Sequence, residues 1–176
     1  RFAPSLTASV FVPERVGDFK ATSGPAIAVA NYAQLRLNAA WFKTQTWDAI
    51  ILDEAQFIKN PGSQTAIIAR SIPAAHRLAL TGTPIENRLL DLWSLFAFVQ
   101  PGLLGPQAGF RRQFPADDAE AAARLRRRTR HFMLRRTKSQ VAPELPPRTE
   151  DEIVVDLEGE QRQLYAAELK RARAQL

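Results

Sequence analysis

The sequence has no cysteine. That excludes a disulfide framework and thiolate metal sites, and it fits a reducing, intracellular setting. There are two histidines, His76 and His131, too far apart for metal-ligand spacing. No apolar run reaches the roughly 18 residues needed to span a bilayer. The longest, "LLDLWSLFAFV" at 89–99, is shorter and carries Asp91. No G-x-x-x-x-G-K-[ST] loop occurs, so the usual phosphate cradle is missing. There is no initiating methionine and no signal-peptide pattern, and the chain reads as a piece of something longer. Its setting is therefore expected to be intracellular and cytoplasmic, away from membranes.

What is present is enough for one domain with a core, or a domain with an appendage. The 176 residues are 45% hydrophobic and carry a formal charge of +6. The charge is uneven. Residues 111–138 hold nine Arg and one Lys against three acids, which leaves the rest near neutral. A basic block on a neutral body fits a polyanion such as nucleic acid, or a solvated helix face.

Continuous apolar runs at 26–30, 49–52 and 78–80, with a further one at 7–12, predict strands buried on both faces of a parallel sheet. Between them, Tyr32 to about Phe42 and Ser63 to Ser71 predict helices. The alternation predicts an α/β domain with right-handed crossovers. In "TGTPIENRLLDLWSLFAFVQPG" Thr83 is the expected N-cap, Pro84 the first helical residue and Glu86 the capping-box partner. The apolar stripe of that helix is wide enough to be buried on more than one side. Two charged, exposed helices are expected after Gly105. A proline-rich stretch at 141–150 follows, then a strand in "EIVVDL" and a C-terminal helix.

The stretch "IILDEAQFIKN" runs a buried strand into Asp53 and Glu54. In open α/β sheets ligands bind beyond the carboxyl ends of the strands. An aspartate there can hold Mg²⁺ while the ion bridges nucleotide phosphates. A neighbouring glutamate can orient or deprotonate water. "LALTGTP" repeats the layout about 30 residues later, a buried strand ending in a polar turn. If the two strands are neighbours, Thr81 and Thr83 come close to the acids.

Three blocks in order, "ILDEAQFIKNPGSQTA", "RLALTGTPIENRLLDLWSLFAFVQPGLLG" and "FMLRRTKSQVAPELPPRTE", closely resemble the Swi/Snf family of helicase-like DNA translocases in helicase superfamily two, over roughly residues 26 to 165. The resemblance implies a partial RecA-like parallel sheet with flanking helices and a helical protrusion. It implies that residues 1–105 are the C-terminal half of the first RecA-like ATPase domain. Residues 106–133 would be the protrusion, and 134–176 the return segment and the start of the linker to a second such domain. "DEAQ" would be motif II, with Asp53 holding Mg²⁺, Glu54 acting on water and Gln56 coupling to motif III, which contains Thr81, Gly82 and Thr83. Lys59 and Asn60 would lie near a DNA backbone. "VANY" at 29–32 stands where motif Ib touches phosphates, with Ala30 and Asn31 where the family has Thr or Ser. Asn31 would be the donor. ATP and Mg²⁺ are the implied cofactors. Double-stranded DNA is the implied partner, alongside a nucleic-acid-associated protein complex.

The leading reading is a piece of an ATP-driven duplex-DNA translocase, inactive by itself. The alternatives are a binding module without turnover and another superfamily-two helicase or restriction translocase. Arg126, Arg127 and Arg128 read as an exposed helix face, with or without DNA contact. Trp41, Trp47 and Trp93 read as core.

Overall fold

The computed structural model describes residues 5–15, 24–82, 89–115, 117–142, 144, 146, 149–154 and 156–173. The chain forms two compact units, residues 1–132 and 133–176. In the first, β1 (Thr7–Val10) pairs in parallel with β2 (Ala26–Val29), and β3 (Trp47–Leu52) pairs in parallel with β4 (Ala74–Ala79). The apolar runs thus locate the four strands among the described residues, and β4 starts four residues ahead of its run because the ladder already pairs Trp47 with Ala74.

The crossover from β2 to β3 is not one helix. Asn38 divides it into α1 (Tyr32–Leu37) and α2 (Ala39–Thr44). Its side chain donates to the Gln34 carbonyl at 3.2 Å and to Gln34 Oε1 at 2.8 Å, and this local bonding competes with helix continuation. From β3 the chain passes through a 3₁₀ turn (Ala55–Ile58) to α3 (Gln64–Ser71), and Ser63, the first residue of the predicted helix, is its N-cap. After β4, residues 83–88 fall outside the described residues, and with them the expected Thr83, Pro84 and Glu86 cap. The next described helix is α4 (Leu89–Val99).

α4 is buried on two sides. Leu95 and Phe98 pack with Leu52, Ala55, Ile58, Ala66 and Ala69 beneath the β3 turn. Leu92 and Phe96 pack with Phe110, Phe114, Ala121 and Leu125 of the following helices, α5 (Gln107–Gln113) and α6 (Ala119–Thr129). Each Leu, Ile or Phe among them contributes about 1.5–3 kcal/mol on removal from water. One helix therefore serves the core of the sheet layer and the core formed with α5 and α6. A third cluster gathers Phe11, Phe42 and Ile72, with Trp41 and Trp47 half-buried at its edge.

Burial on both sheet faces is not observed. Ile51 is 61% exposed and Leu78 50%, while their neighbour Leu52 is buried. In the β3–β4 pair, Ile50, Leu52 and Ala79 face the helices, while Ile51 and Leu78 lie on the opposite face and stay open. His76 lies within β4, exposed.

In the second unit a short helix, α7 (Lys138–Val141), precedes the proline-rich segment, and α8 spans Gly159–Arg173. "EIVVDL" forms no strand among its described residues, and Ile153 is 84% exposed. A strand without a ladder partner leaves its backbone groups unpaired, and β-propensity alone does not supply one. No helix among the described residues is long and apolar enough to cross a membrane.

Candidate nucleotide and nucleic-acid site

The site grows from the carboxyl ends of β3 and β4. Beyond the regular ladder, Leu80 N–H donates to Leu52 O at 2.8 Å and Ala55 N–H donates to Leu80 O at 2.8 Å. These two bonds carry the pairing past the strands and hold the Asp53 turn against Thr81. The acids and Thr81 are therefore brought to one end of the sheet.

Within the turn the backbone is strained. Glu54 has φ +48°, the one positive-φ non-glycine among the described residues. An L-residue held there costs about 1–3 kcal/mol and persists only where its surroundings hold it. Three contacts do so. Glu54 N–H donates to Asp53 Oδ1 at 2.9 Å. Gln56 Nε2 donates to Glu54 Oε2 at 2.8 Å. Thr81 Oγ1 donates to Gln56 Oε1 at 2.8 Å. Both ends of one amide are thus committed, its nitrogen to the acid and its oxygen to the hydroxyl. A continuous chain of hydrogen bonds runs from Thr81 through Gln56 to Glu54.

Asp53 and Glu54 are both exposed at this end. Asp53 uses Oδ1 for one backbone donor, and a carboxylate accepts about four hydrogen bonds, so its second oxygen remains available to a hard cation. Among the described residues no three metal-ligating side chains cluster. Mg²⁺ requires only one or two protein carboxylates, with phosphates and water completing its shell. The donor set fits.

Tyr32 is a residue the sequence reading passed over. It opens α1, and its hydroxyl donates to the Asp53 carbonyl at 2.8 Å. Its ring packs against Phe57, centroids 5.0 Å apart. Burial, then the Asp53 and Glu54 charges, push the phenol up to about 12. The unfolded chain loses that proton near pH 10. Stability from this group is therefore complete below pH 10 and is lost as pH rises towards 12. The chain has two tyrosines, so Tyr32→Phe removes half of the phenolate signal in an ultraviolet titration. The half removed is expected to be the late-ionising one. The wild-type stability advantage over Tyr32→Phe, about 1 kcal/mol for the lost hydrogen bond, should shrink above pH 10. A gap that stays constant from pH 8 to pH 12 would show that Tyr32 does not sense the acids.

The predicted nucleic-acid residues divide. Lys59 ends the 3₁₀ turn, half-buried, its N–H bonded to Gln56 O at 3.1 Å. Asn60 is exposed, but its Oδ1 accepts from Gly62 N–H at 3.0 Å and its carbonyl accepts from Ser63 Oγ at 2.9 Å. Its side chain builds the turn. Asn31 is the N-cap of α1, its Oδ1 accepting from Gln34 N–H at 2.8 Å. The cap uses the amide oxygen and not the nitrogen. Gly82 is exposed with nothing described within 4 Å of a notional Cβ, so local crowding does not explain a glycine there. Thr83 lies outside the described residues.

Arg126, Arg127 and Arg128 do not form one face. Successive helical residues turn by about 100°. Ala121, Leu125 and Thr129 point inward, and all three arginines are exposed. Arg128 joins Arg112 and Arg124 around a surface cavity of about 390 Å³, which Arg126 and Arg127 do not line.

The comparisons with known proteins fit this geometry. A sequence model of the SNF2-related domain matches residues 7–176. The uncharacterized ATP-dependent helicase MG018 of Mycoplasma genitalium is 42% identical over 140 residues, 79% of this chain and 14% of that protein. The TATA-binding protein-associated factor MOT1 of Saccharomyces cerevisiae is 36% identical over 155 residues, 79% of this chain and 8% of its own length. The chain thus spans less than a fifth of these relatives. The Sulfolobus solfataricus SWI2/SNF2 ATPase core, solved in complex with dsDNA, superposes with a TM-score of 0.71 at 36% identity, covering 96% of this chain and 37% of that one. The parallel β3–β4 pair with its helices is the RecA-like α/β fold of that core. With the family match running through both units, the chain belongs to the SNF2-related domain family.

Proposed function

We propose that this chain supplies the hydrolytic acids, the coupling motif and part of the DNA-facing surface of an ATP-driven duplex-DNA translocase. The observation that carries the reading is the bonded path from Glu54 through Gln56 to Thr81 across two paired parallel strands. Such a path links the residue that handles water to the motif that precedes α4. Residues 1–105 then act as the second half of a RecA-like ATPase domain, 106–133 as its protrusion, and 134–176 as the return and linker.

In this reading Asp53 holds Mg²⁺ with its free oxygen, and Glu54 orients and deprotonates the attacking water. Bound Mg²⁺–ATP supplies the phosphoryl group and neutralises its developing charge. Gln56 keeps the Glu54 carboxylate aimed, and its own orientation depends on Thr81. Tyr32 fixes the backbone of Asp53 from the side of α1. Neither a phosphate loop nor a second RecA-like domain lies in this chain, so these parts act only within the complete ATPase. DNA-stimulated phosphate release by that ATPase tests the reading. Absence of stimulation by duplex DNA would overturn it.

Lys59 is the residue expected to touch a phosphate. It lies six residues beyond Asp53, on the loop the catalytic strand feeds. Lys59→Ala is expected to lower duplex affinity and DNA-stimulated hydrolysis together. It should reduce the slope of log affinity against log salt by about 0.9. Neutralising Arg126, Arg127 and Arg128 together should weaken binding less and spare the stimulation. Their side chains diverge and none belongs to the bonded path. Binding across a salt series decides it. Loss of most affinity in the triple variant, with Lys59→Ala unchanged, would move the DNA site to the protrusion.

A further inference from the structure

The loop that carries Lys59 and Asn60 is held from behind by two side chains outside the motifs. Ser94 sits in the middle of α4, 0% exposed. Its hydroxyl donates to Ile58 O at 2.6 Å. Arg70, in the last turn of α3, donates through Nη2 to Pro61 O at 2.7 Å and makes a longer contact through Nη1 with Ser94 Oγ at 3.4 Å. Ile58 and Pro61 flank Lys59 and Asn60, so the two carbonyls on either side of that pair are both gripped.

Neither arrangement is the default for its residue type. A serine inside a helix commonly bonds back to its own preceding turn. Here it reaches an element 36 residues away. A hydroxyl buried in the most apolar helix of the chain is costly unless it is bonded, and its bond goes to this loop. Arg70 is drawn far enough from solvent that burial lowers its pKa, although a surface arginine would normally keep its head in water. The Asn60 side-chain bond with the Gly62 N–H closes the turn from inside, and holding the carbonyls on either side keeps that closure formed.

We propose that Arg70 and Ser94 are positioning residues that clamp the Lys59–Asn60 loop onto α3 and α4, so that the loop meets a DNA phosphate already ordered. This rests on the DNA role of Lys59 proposed above. A loop that must be ordered on binding loses affinity through the entropy of ordering, while the contact it finally makes stays the same. The clamp and the contact therefore have different signatures. Loss of the contact lowers the salt slope, and loss of the clamp lowers affinity at constant slope. Because α4 also carries Leu92 and Phe96 into the protrusion core, the clamp seats the loop on the helix the two cores share.

The test uses Ser94→Ala and Arg70→Lys in the complete ATPase, with Lys59→Ala alongside. Hydrogen exchange is followed without DNA at the Gly62 and Ser63 amides, and duplex affinity is measured across a salt series. Exchange at Gly62 and Ser63 is expected to rise in both clamp variants, with exchange in α4 around Phe98 unchanged. Duplex affinity should fall about two- to tenfold, the range for one lost hydrogen bond, with no change in salt slope. Arg70→Lys keeps the charge and the aliphatic stem, so it remains informative if Ser94→Ala does not fold. Unchanged exchange at both amides overturns the clamp, and so does a salt slope that falls as it does in Lys59→Ala. If Lys59→Ala itself matches wild type in affinity and slope, the DNA role of the loop fails, and the exchange data still decide the clamp.

Discussion

Glu54→Gln is expected to reduce ATP hydrolysis by the complete ATPase by about 10²–10⁴-fold, the range for losing a general base, while leaving ATP binding nearly intact. The amide keeps the shape of the carboxylate and can still hydrogen-bond to Gln56. It cannot accept the proton of the attacking water. Asp53→Asn should behave differently. In the proposed reading Asp53 gives its second oxygen to the cation, so loss of its charge should weaken Mg²⁺-dependent nucleotide binding as well as turnover. The two acids are neighbours in sequence, and the backbone at Glu54 is left-handed. Phosphate release and nucleotide binding, each measured against Mg²⁺ concentration, separate the pair. The same binding defect in both variants would show that the carboxylates share one role. Wild-type hydrolysis in both would make them structural.

Much of this site was legible because it rests on strand ends. A continuous apolar run followed by acids, and a second followed by Thr-Gly-Thr, predict two strands with polar ends. Parallel pairing of β3 and β4 then brings Asp53 and Thr81 together. What could not be read is which side chains bond across elements. Tyr32 and Asp53 are 21 positions apart, and Arg70 and Ser94 are 24 apart. Nothing in the spacing announces either contact. A signal for Ser94 existed, a small polar residue in the middle of an apolar helix stripe, and it was masked by the strength of the stripe. The resemblance places Asn60 near a DNA backbone and makes Asn31 the phosphate donor. In the structure their side-chain oxygens bond to Gly62 and Gln34 backbone amides two and three residues on, a role that short amide side chains fill in turns and caps generally.

The fold departs from its pattern where burial depends on what lies alongside a segment. Ile51 and Leu78 read as buried on both faces because parallel strands usually are. In this chain helices cover one face of the β3–β4 pair, and apolar side chains on the other remain open. "EIVVDL" has the composition of a strand but finds no ladder among the described residues. Both differences have the same origin. Periodicity reports what a segment could bury, and the neighbour that completes the burial is a separate fact.

The relay itself makes the second large prediction. Gln56→Ala removes a hydrogen bond to a charged partner, worth about 1.5–3 kcal/mol, or about 10–150-fold in rate if the full amount is expressed in the transition state. Thr81→Val keeps the volume and removes only the hydroxyl, a neutral bond of about 0.5–1.5 kcal/mol, or about 2–12-fold. Since Thr81 acts on Glu54 through Gln56, the losses should not add. Once Gln56 is alanine, the Thr81 hydroxyl has no amide to orient, so the double variant should resemble Gln56→Ala alone. The coupling energy should then approach the whole effect of Thr81→Val. The loss should also fall mainly on the DNA-stimulated rate. In the proposed reading, basal hydrolysis needs only the acids in place, and stimulation needs Thr81 and Gln56 to report to them. Phosphate release with and without duplex DNA, for wild type, both single variants and the double variant, gives the full cycle. Additive losses would mean that Thr81 and Gln56 act independently. An equal fall in basal and stimulated rates would mean that the bond between them positions the acids without carrying the signal from DNA.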